Sequence, residues 1–133
     1  MKVIQWETAS TREQYGKTLV ELGEENPKIV VLGGDLNVST FTHLFGKAFP
    51  GRFFDFGAAE QNMISAAAGL AAAGKIPFCS TFAVFGTGRA FDQIRLGVAQ
   101  PSLNVKLVCT HAGLLTGEDG ISAQSIEDLA LMS

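Results

Sequence analysis

Glu60 is the residue of this chain best placed for chemistry, because of what surrounds it. An apolar run, Phe53, Phe54 and Phe56, passes through Gly57-Ala58-Ala59 into Glu60, and residues 61–74 carry no charge. A single carboxylate thus stands at the mouth of an almost wholly apolar helix, where it can accept a hydrogen bond from a ligand nitrogen. A glutamate in a first helical turn is also favoured by the helix dipole without doing any chemistry, so position alone leaves both readings open. Other polar residues cluster after apolar runs: Gly33-Gly34-Asp35 with Ser39, Ser80-Thr81-Phe82 with Phe85, Thr110-His111, and Gly117-Glu118-Asp119-Gly120. Taken singly, Asp35 and Asp119 are ordinary turn formers, and Arg89, Asp92 and Arg95 read as a solvated helix face with local ion pairs. Phe78 and Phe91 read as core. Phe82 and Phe85, in a Gly-rich turn past a strand, could pack or could stack on a flat heterocycle.

The elements that must position these residues follow from periodicity. Ser10 or Thr11 caps a helix carrying Tyr15, Leu19 and Leu22 at helical spacing, and Asn26-Pro27 ends it. Buried strands are expected at residues 28–33, 53–56, 76–81 and 105–110. Helices are expected at residues 40–49, 60–74 and 88–99, and from about residue 125. Continuous apolar strands alternating with helices imply an α/β fold: a mainly parallel sheet with helices on both faces. In such sheets ligands bind beyond the carboxyl ends of the strands, and four strand exits here carry the polar residues. The 60–74 helix is small on nearly every face, with Ala at 66, 67, 68, 71, 72 and 73. That suits burial by its own sheet and by a partner chain, and favours a symmetric dimer.

Composition excludes several classes. At 133 residues, 47% hydrophobic and 17% charged, residues 1–133 fit one compact domain. The net charge is −3 and the ten Lys and Arg are scattered, so no nucleic-acid partner is expected. The apolar helix is too short for a bilayer, which takes about 20 residues, and residues 1–12 lack the apolar core of a secretory leader. A cytoplasmic protein without a membrane partner is the expectation. Cys79 and Cys109 read as buried reduced thiols, and His43 and His111 are too sparse for a zinc site, so no protein-made metal site is expected. There is no phosphate-cradling GxGxxG or Lys-Ser/Thr loop. The last helix has barely begun when the sequence stops at Ser133, which suggests a domain truncated at its C-terminal end.

Phe56-Gly57-Ala58-Ala59-Glu60-Gln61-Asn62-Met63, Ser80-Thr81-Phe82-Ala83-Val84-Phe85, Thr110-His111-Ala112-Gly113, Gly117-Glu118-Asp119-Gly120 and Ile126-Glu127-Asp128-Leu129 occur in this order. Together they resemble the pyrimidine-binding domain of transketolase, from Ser10 onward, most of all the start of the C-terminal subunit of a split transketolase. The resemblance implies a thiamine diphosphate enzyme moving a two-carbon ketol unit between sugar phosphates. It implies that Glu60 hydrogen-bonds N1′ of the aminopyrimidine and favours the imino tautomer, whose nitrogen takes the thiazolium C2 proton. It further implies that Phe85 stacks on the pyrimidine, Phe82 lines the pocket and Asp35 lies near the cofactor. Ser39 and His111 would face the sugar phosphate's phosphate end, and Asp119 a substrate hydroxyl. A diphosphate-binding subunit or domain holding Mg²⁺ must complete the site, in a homodimer or heterotetramer. Departures from the family pattern are Ala123 for a usual histidine, Ile121 for a usual proline, and Gly88 for a tyrosine that often lies beside the pyrimidine. Alternatives are another enzyme of the same cofactor class, deoxyxylulose-phosphate synthase or the beta subunit of a 2-oxo acid dehydrogenase, and a non-catalytic pairing domain.

Overall fold

A computed structural model describes residues 8–133. Ser10 caps α1 (Thr11–Glu25), its hydroxyl accepting from the Glu13 N–H, and Asn26 closes it in an extended conformation. β1 (Ile29–Gly33) follows and is buried throughout. Then come α2 (His43–Ala48), a 3₁₀ turn (Pro50–Arg52), β2 (Phe53–Asp55), α3 (Glu60–Ala72) and β3 (Ile76–Phe82). Two π-helical segments (Val84–Arg89 and Gln93–Ala99), β4 (Lys106–Thr110), two 3₁₀ turns (Gly117–Asp119 and Ile121–Ala123) and α4 (Asp128–Met132) complete the order.

The four strands form one sheet in the order β2-β1-β3-β4, every pairing parallel, with Leu32 opposite Phe54 and Cys79, and Thr81 opposite Cys109. Side chains on a strand alternate between faces, and β1 shows the consequence. Ile29 and Val31 pack with Leu19 and Phe45 beneath α1 and α2, whereas Val30 and Leu32 pack with Met63, Ile64, Ala67 and Cys79 beneath α3. The expected α/β architecture, with helices on both faces, is what the chain forms.

Several expectations need correction. The 53–56 strand is three residues long and lies at the sheet edge, with Phe54 and Asp55 exposed, because it has a neighbour on one side alone. The helix expected at 88–99 starts earlier and is wound as the two π-helical segments. Phe82 therefore ends β3 and Phe85 rides on the first segment; neither is in a turn. Gly86 lets this segment close onto the sheet: a Cβ there would come 2.7 Å from Cys109 Sγ and 3.1 Å from Thr81 Cγ2. The last helix begins at Asp128, not near residue 125. On α3 the sheet buries Glu60, Met63, Ile64, Ala67 and Ala68, while Ser65, Gly69 and Ala72 stay open in this chain. Cys79 and Cys109 are free thiols, buried and half-buried, and burial pushes both up to about 12. The reading that no secretory leader is present falls mainly on residues 1–7, outside the described residues.

Candidate functional site

In the strand order β2-β1-β3-β4, the chain leaves β1 toward β2 on one side and β3 lies on the other, so a crevice opens between the exits of β1 and β3. This switch point is where open α/β sheets receive ligands. Glu60, first residue of α3, turns its side chain into that crevice and is 1% exposed. Gly34, just past β1, makes room for it. A Cβ on Gly34 would lie 3.4 Å from both Glu60 Cγ and Thr81 Oγ1. Thr81 Oγ1 donates a long hydrogen bond, 3.4 Å, to Glu60 Oε1.

The counter-ion of Glu60 is Arg89, whose Nη1 donates to Oε2 at 2.6 Å. Sequence spacing placed Arg89 with Asp92 and Arg95 on a solvated face with local partners. Among the described residues its ion pair is instead with a carboxylate 29 positions away, because the π-helical segment ends over the mouth of α3. The Arg89 guanidinium also lies over the Phe85 ring, 4.6 Å from its centroid. Phe85 and Phe82 have nearly parallel rings, 11° apart with centroids at 6.1 Å, and Phe82 stacks on His111 at 3.7 Å. A buried carboxylate beside an aromatic face that already carries a planar N–H donor fits a flat heterocycle able to donate an N–H.

A second group lies past β4. His111 has φ 55°, a left-handed conformation uncommon for a residue with a side chain, and it is fixed from three sides. Phe82 stacks on the ring, Nδ1 is 2.8 Å from Thr110 Oγ1, and Nε2 is 3.5 Å from Arg12 Nη1. Arginine can only donate, so Nε2 is the acceptor and the Nδ1–H of the neutral ring donates to Thr110. Burial, then the Arg12 charge, lowers the His111 pKa below its ordinary value, while Asp119 pulls the other way. Arg12 also donates to the Ser39 carbonyl at 2.9 Å, so one guanidinium joins the expected residues Ser39 and His111. Arg12, His111, Thr110 and Thr116 help line a cleft of about 600 Å³ between the start of α1 and the exit of β4. Arg12 was not singled out in the sequence. Its place in the first turn of a capped helix gave no hint that the turn abuts β4.

Asp35 is exposed, with φ 64°, and immediately follows the glycine that faces Glu60. Its backbone is held by Asp55 at the end of β2. One Asp55 oxygen accepts from the N–H groups of Asp35 (3.1 Å) and Gly57 (3.0 Å), the other from Asn37 Nδ2 (2.6 Å). Asp55 thereby ties the loop after β1 to the loop that leads into Glu60. At the departures from the family pattern, a side chain on Gly88 would meet open space, and the neighbouring Arg89 is what reaches the crevice. Ala123 is buried and Ile121 is 88% exposed. The structure thus brings together Glu60, Phe82 and Phe85 in one group and Ser39 and His111 in another, the Phe82–His111 stack joining the two. Asp119 lies near enough to act on His111 by its charge, and Asp35 stands at the rim. No cluster of metal-binding side chains is found among the described residues.

The C-terminal section of a putative transketolase of Methanocaldococcus jannaschii is 57% identical over 91% of this chain and 38% of its own length. Human transketolase is 47% identical over 92% of this chain and 19% of its own. A split-gene transketolase solved as an inactive beta4 tetramer superposes with a TM-score of 0.80 at 61% identity, over 95% of this chain and 40% of that one. A Pichia stipitis transketolase complex with sedoheptulose 7-phosphate gives 0.84 at 28% identity, over 96% of this chain and 20% of that one. This chain therefore spans about two fifths of the split relatives and a fifth of the long ones. Residues 7–133 match the family described as transketolase, pyrimidine binding domain, and the chain belongs to that family.

Proposed function

We propose that this chain supplies the pyrimidine half of a thiamine diphosphate site in a cytoplasmic transketolase, and that a diphosphate-binding subunit carrying Mg²⁺ supplies the other half. The observation that carries the reading is Glu60: a carboxylate 1% exposed, at the sheet's switch point, beside the ring of Phe85. When bound, thiamine diphosphate would supply the nucleophilic carbon and the electron sink for moving a two-carbon ketol unit between sugar phosphates. The protein's part is orientation and proton control. Glu60 would accept an N–H from the pyrimidine edge, Phe85 and Phe82 would flank the ring, and Gly34 leaves the room in which the Glu60 side chain reaches it. Arg12, Ser39 and His111 suit the phosphate end of a sugar phosphate, because the Arg12 guanidinium, held by the Ser39 carbonyl and His111 Nε2, lines the cleft with donors a phosphate can use. Asp119, whose charge reaches His111, is the residue we assign to a substrate hydroxyl. That a split-gene relative is inactive as a tetramer of beta chains supports the need for a second kind of subunit.

The test is a coupled assay of xylulose 5-phosphate with an aldose phosphate acceptor, using this chain mixed with a diphosphate-binding subunit. Activity is expected in the mixture. Glu60→Gln, nearly isosteric, should lower kcat by about 10²–10⁴-fold, the range for losing a positioned proton-handling group, while the unfolding midpoint moves little. A variant keeping most of its rate would refute the assignment of Glu60.

A further inference from the structure

We propose that Arg89 is a built-in occupant of the pyrimidine seat, and that it sets both affinity and specificity there by competing with the ring. The inference rests on the pyrimidine reading above and on one coincidence of geometry. The two residues assigned to the ring, Glu60 and Phe85, are the two that Arg89 engages, at 2.6 Å to Oε2 and 4.6 Å from the ring centroid. A guanidinium is planar and carries N–H donors in its plane, so it offers a carboxylate and an aromatic face what a ring with an N–H edge would offer.

Burial supplies the reason for the arrangement. Glu60 is 1% exposed, and a carboxylate that deep requires a partner at all times. Arg89 is 42% exposed, on a long flexible side chain, beside the open space over Gly88. It can therefore withdraw into solvent when another donor takes its place. Phe82 already flanks Phe85, with its ring 11° from parallel, which leaves the guanidinium and an incoming ring to contend for the remaining approach. Two consequences follow. The apparent affinity is lowered by the fraction of time the seat is filled by Arg89. A flat ring with no edge nitrogen that can carry a proton toward the carboxylate is rejected, since displacing Arg89 would strand Glu60.

The experiment is calorimetric titration of thiamine diphosphate, with Mg²⁺, into the complex of this chain and its diphosphate-binding subunit. Arg89→Met keeps length and apolar bulk but removes the planar donor. Its Kd is expected to fall about tenfold, the factor for a seat open roughly a tenth of the time. Arg89→Lys, which keeps the charge but not the plane, should fall in between. An Arg89→Met Kd equal to or higher than wild type overturns the competition. A second readout needs no variant: on saturation the Arg89 side-chain N–H signals in ¹⁵N spectra should move to the positions of a solvent-exposed arginine, and signals that stay put would overturn it equally. If the wild-type complex takes up no thiamine diphosphate, the pyrimidine reading falls and this proposal with it. If it binds but Arg89→Met changes nothing, the competition alone is lost.

Discussion

Replacing Asp55 by Ala should loosen the rim of the site and cost measurable stability, although Asp55 has no hydrogen bond to Glu60, Phe82 or Phe85 and reaches the site through the backbone of Asp35 and Gly57. Its carboxylate accepts three hydrogen bonds, from the N–H of Asp35, the N–H of Gly57 and Nδ2 of Asn37. Hydrogen bonds to an ionised acceptor contribute about 1.5–3 kcal/mol each where water is excluded. Asp55 is exposed, so water recovers much of that, and about 0.5–1 kcal/mol per bond is the appropriate scale. The sum is about 1.5–3 kcal/mol, or a fall of roughly 5–10 °C in unfolding midpoint for a domain of this size. The loss should also be local. Asp35 holds a positive φ and Gly57 another, at 64° and 68°, and the Asp55 carboxylate bridges their N–H groups. Urea unfolding followed by circular dichroism gives the stability, and amide hydrogen exchange reads the two N–H groups directly. Asp55→Asn, which keeps an acceptor for the two backbone groups and loses the charge, should retain about half the stability. If Asp55→Ala costs less than about 0.5 kcal/mol and leaves the exchange of Asp35 and Gly57 unchanged, the latch between the two loops does not exist.

Two further outcomes test the packing and the charge around the site. Gly86→Ala should destabilise by about 1–3 kcal/mol through collision with Cys109 Sγ and Thr81 Cγ2, and Cys109→Ala should restore part of it; a neutral Gly86→Ala in urea unfolding would contradict the close approach. For His111 the folded pKa is depressed, so the unfolded chain binds the proton more readily, and the contribution of His111 to stability is present above its unfolded pKa near 6.5 and lost as pH falls through the folded value. The unfolding midpoint should therefore drop on acidification below about pH 6.5, and Arg12→Gln should move the NMR titration of the His111 ring upward; an unmoved titration would remove Arg12 as a cause.

Much of the fold was legible because burial on both faces leaves a plain record. Residues 29–33 and 76–81 are unbroken apolar or small runs, and the helix before the first of them carries a cap and helical spacing, so parallel strands alternating with helices followed. The edge strand was read as buried because its three aromatic residues look alike in sequence; Phe54 faces solvent for lack of a neighbour, a fact of sheet order that no local pattern records. The π-helical start at Val84 was missed for a related reason. Gly86 and Gly88 read as a turn, whereas Gly86 serves close packing against the sheet.

What the sequence determined alone is the set of local facts: alternating elements, a carboxylate at a helix mouth, polar residues at strand exits, and an ordered series of motifs that named the family. Each depends on residues within a few positions of one another. Tertiary structure decided the pairings across distance: Arg89 with Glu60, Arg12 with Ser39 and His111, and Asp55 with two loops. Arg12 and Arg89 look like surface charges in the chain, since a cation on a helix gives no local sign of the strand or helix mouth it will meet. Only the strand order, by bringing the exits of β1, β3 and β4 side by side, turned those charges inward.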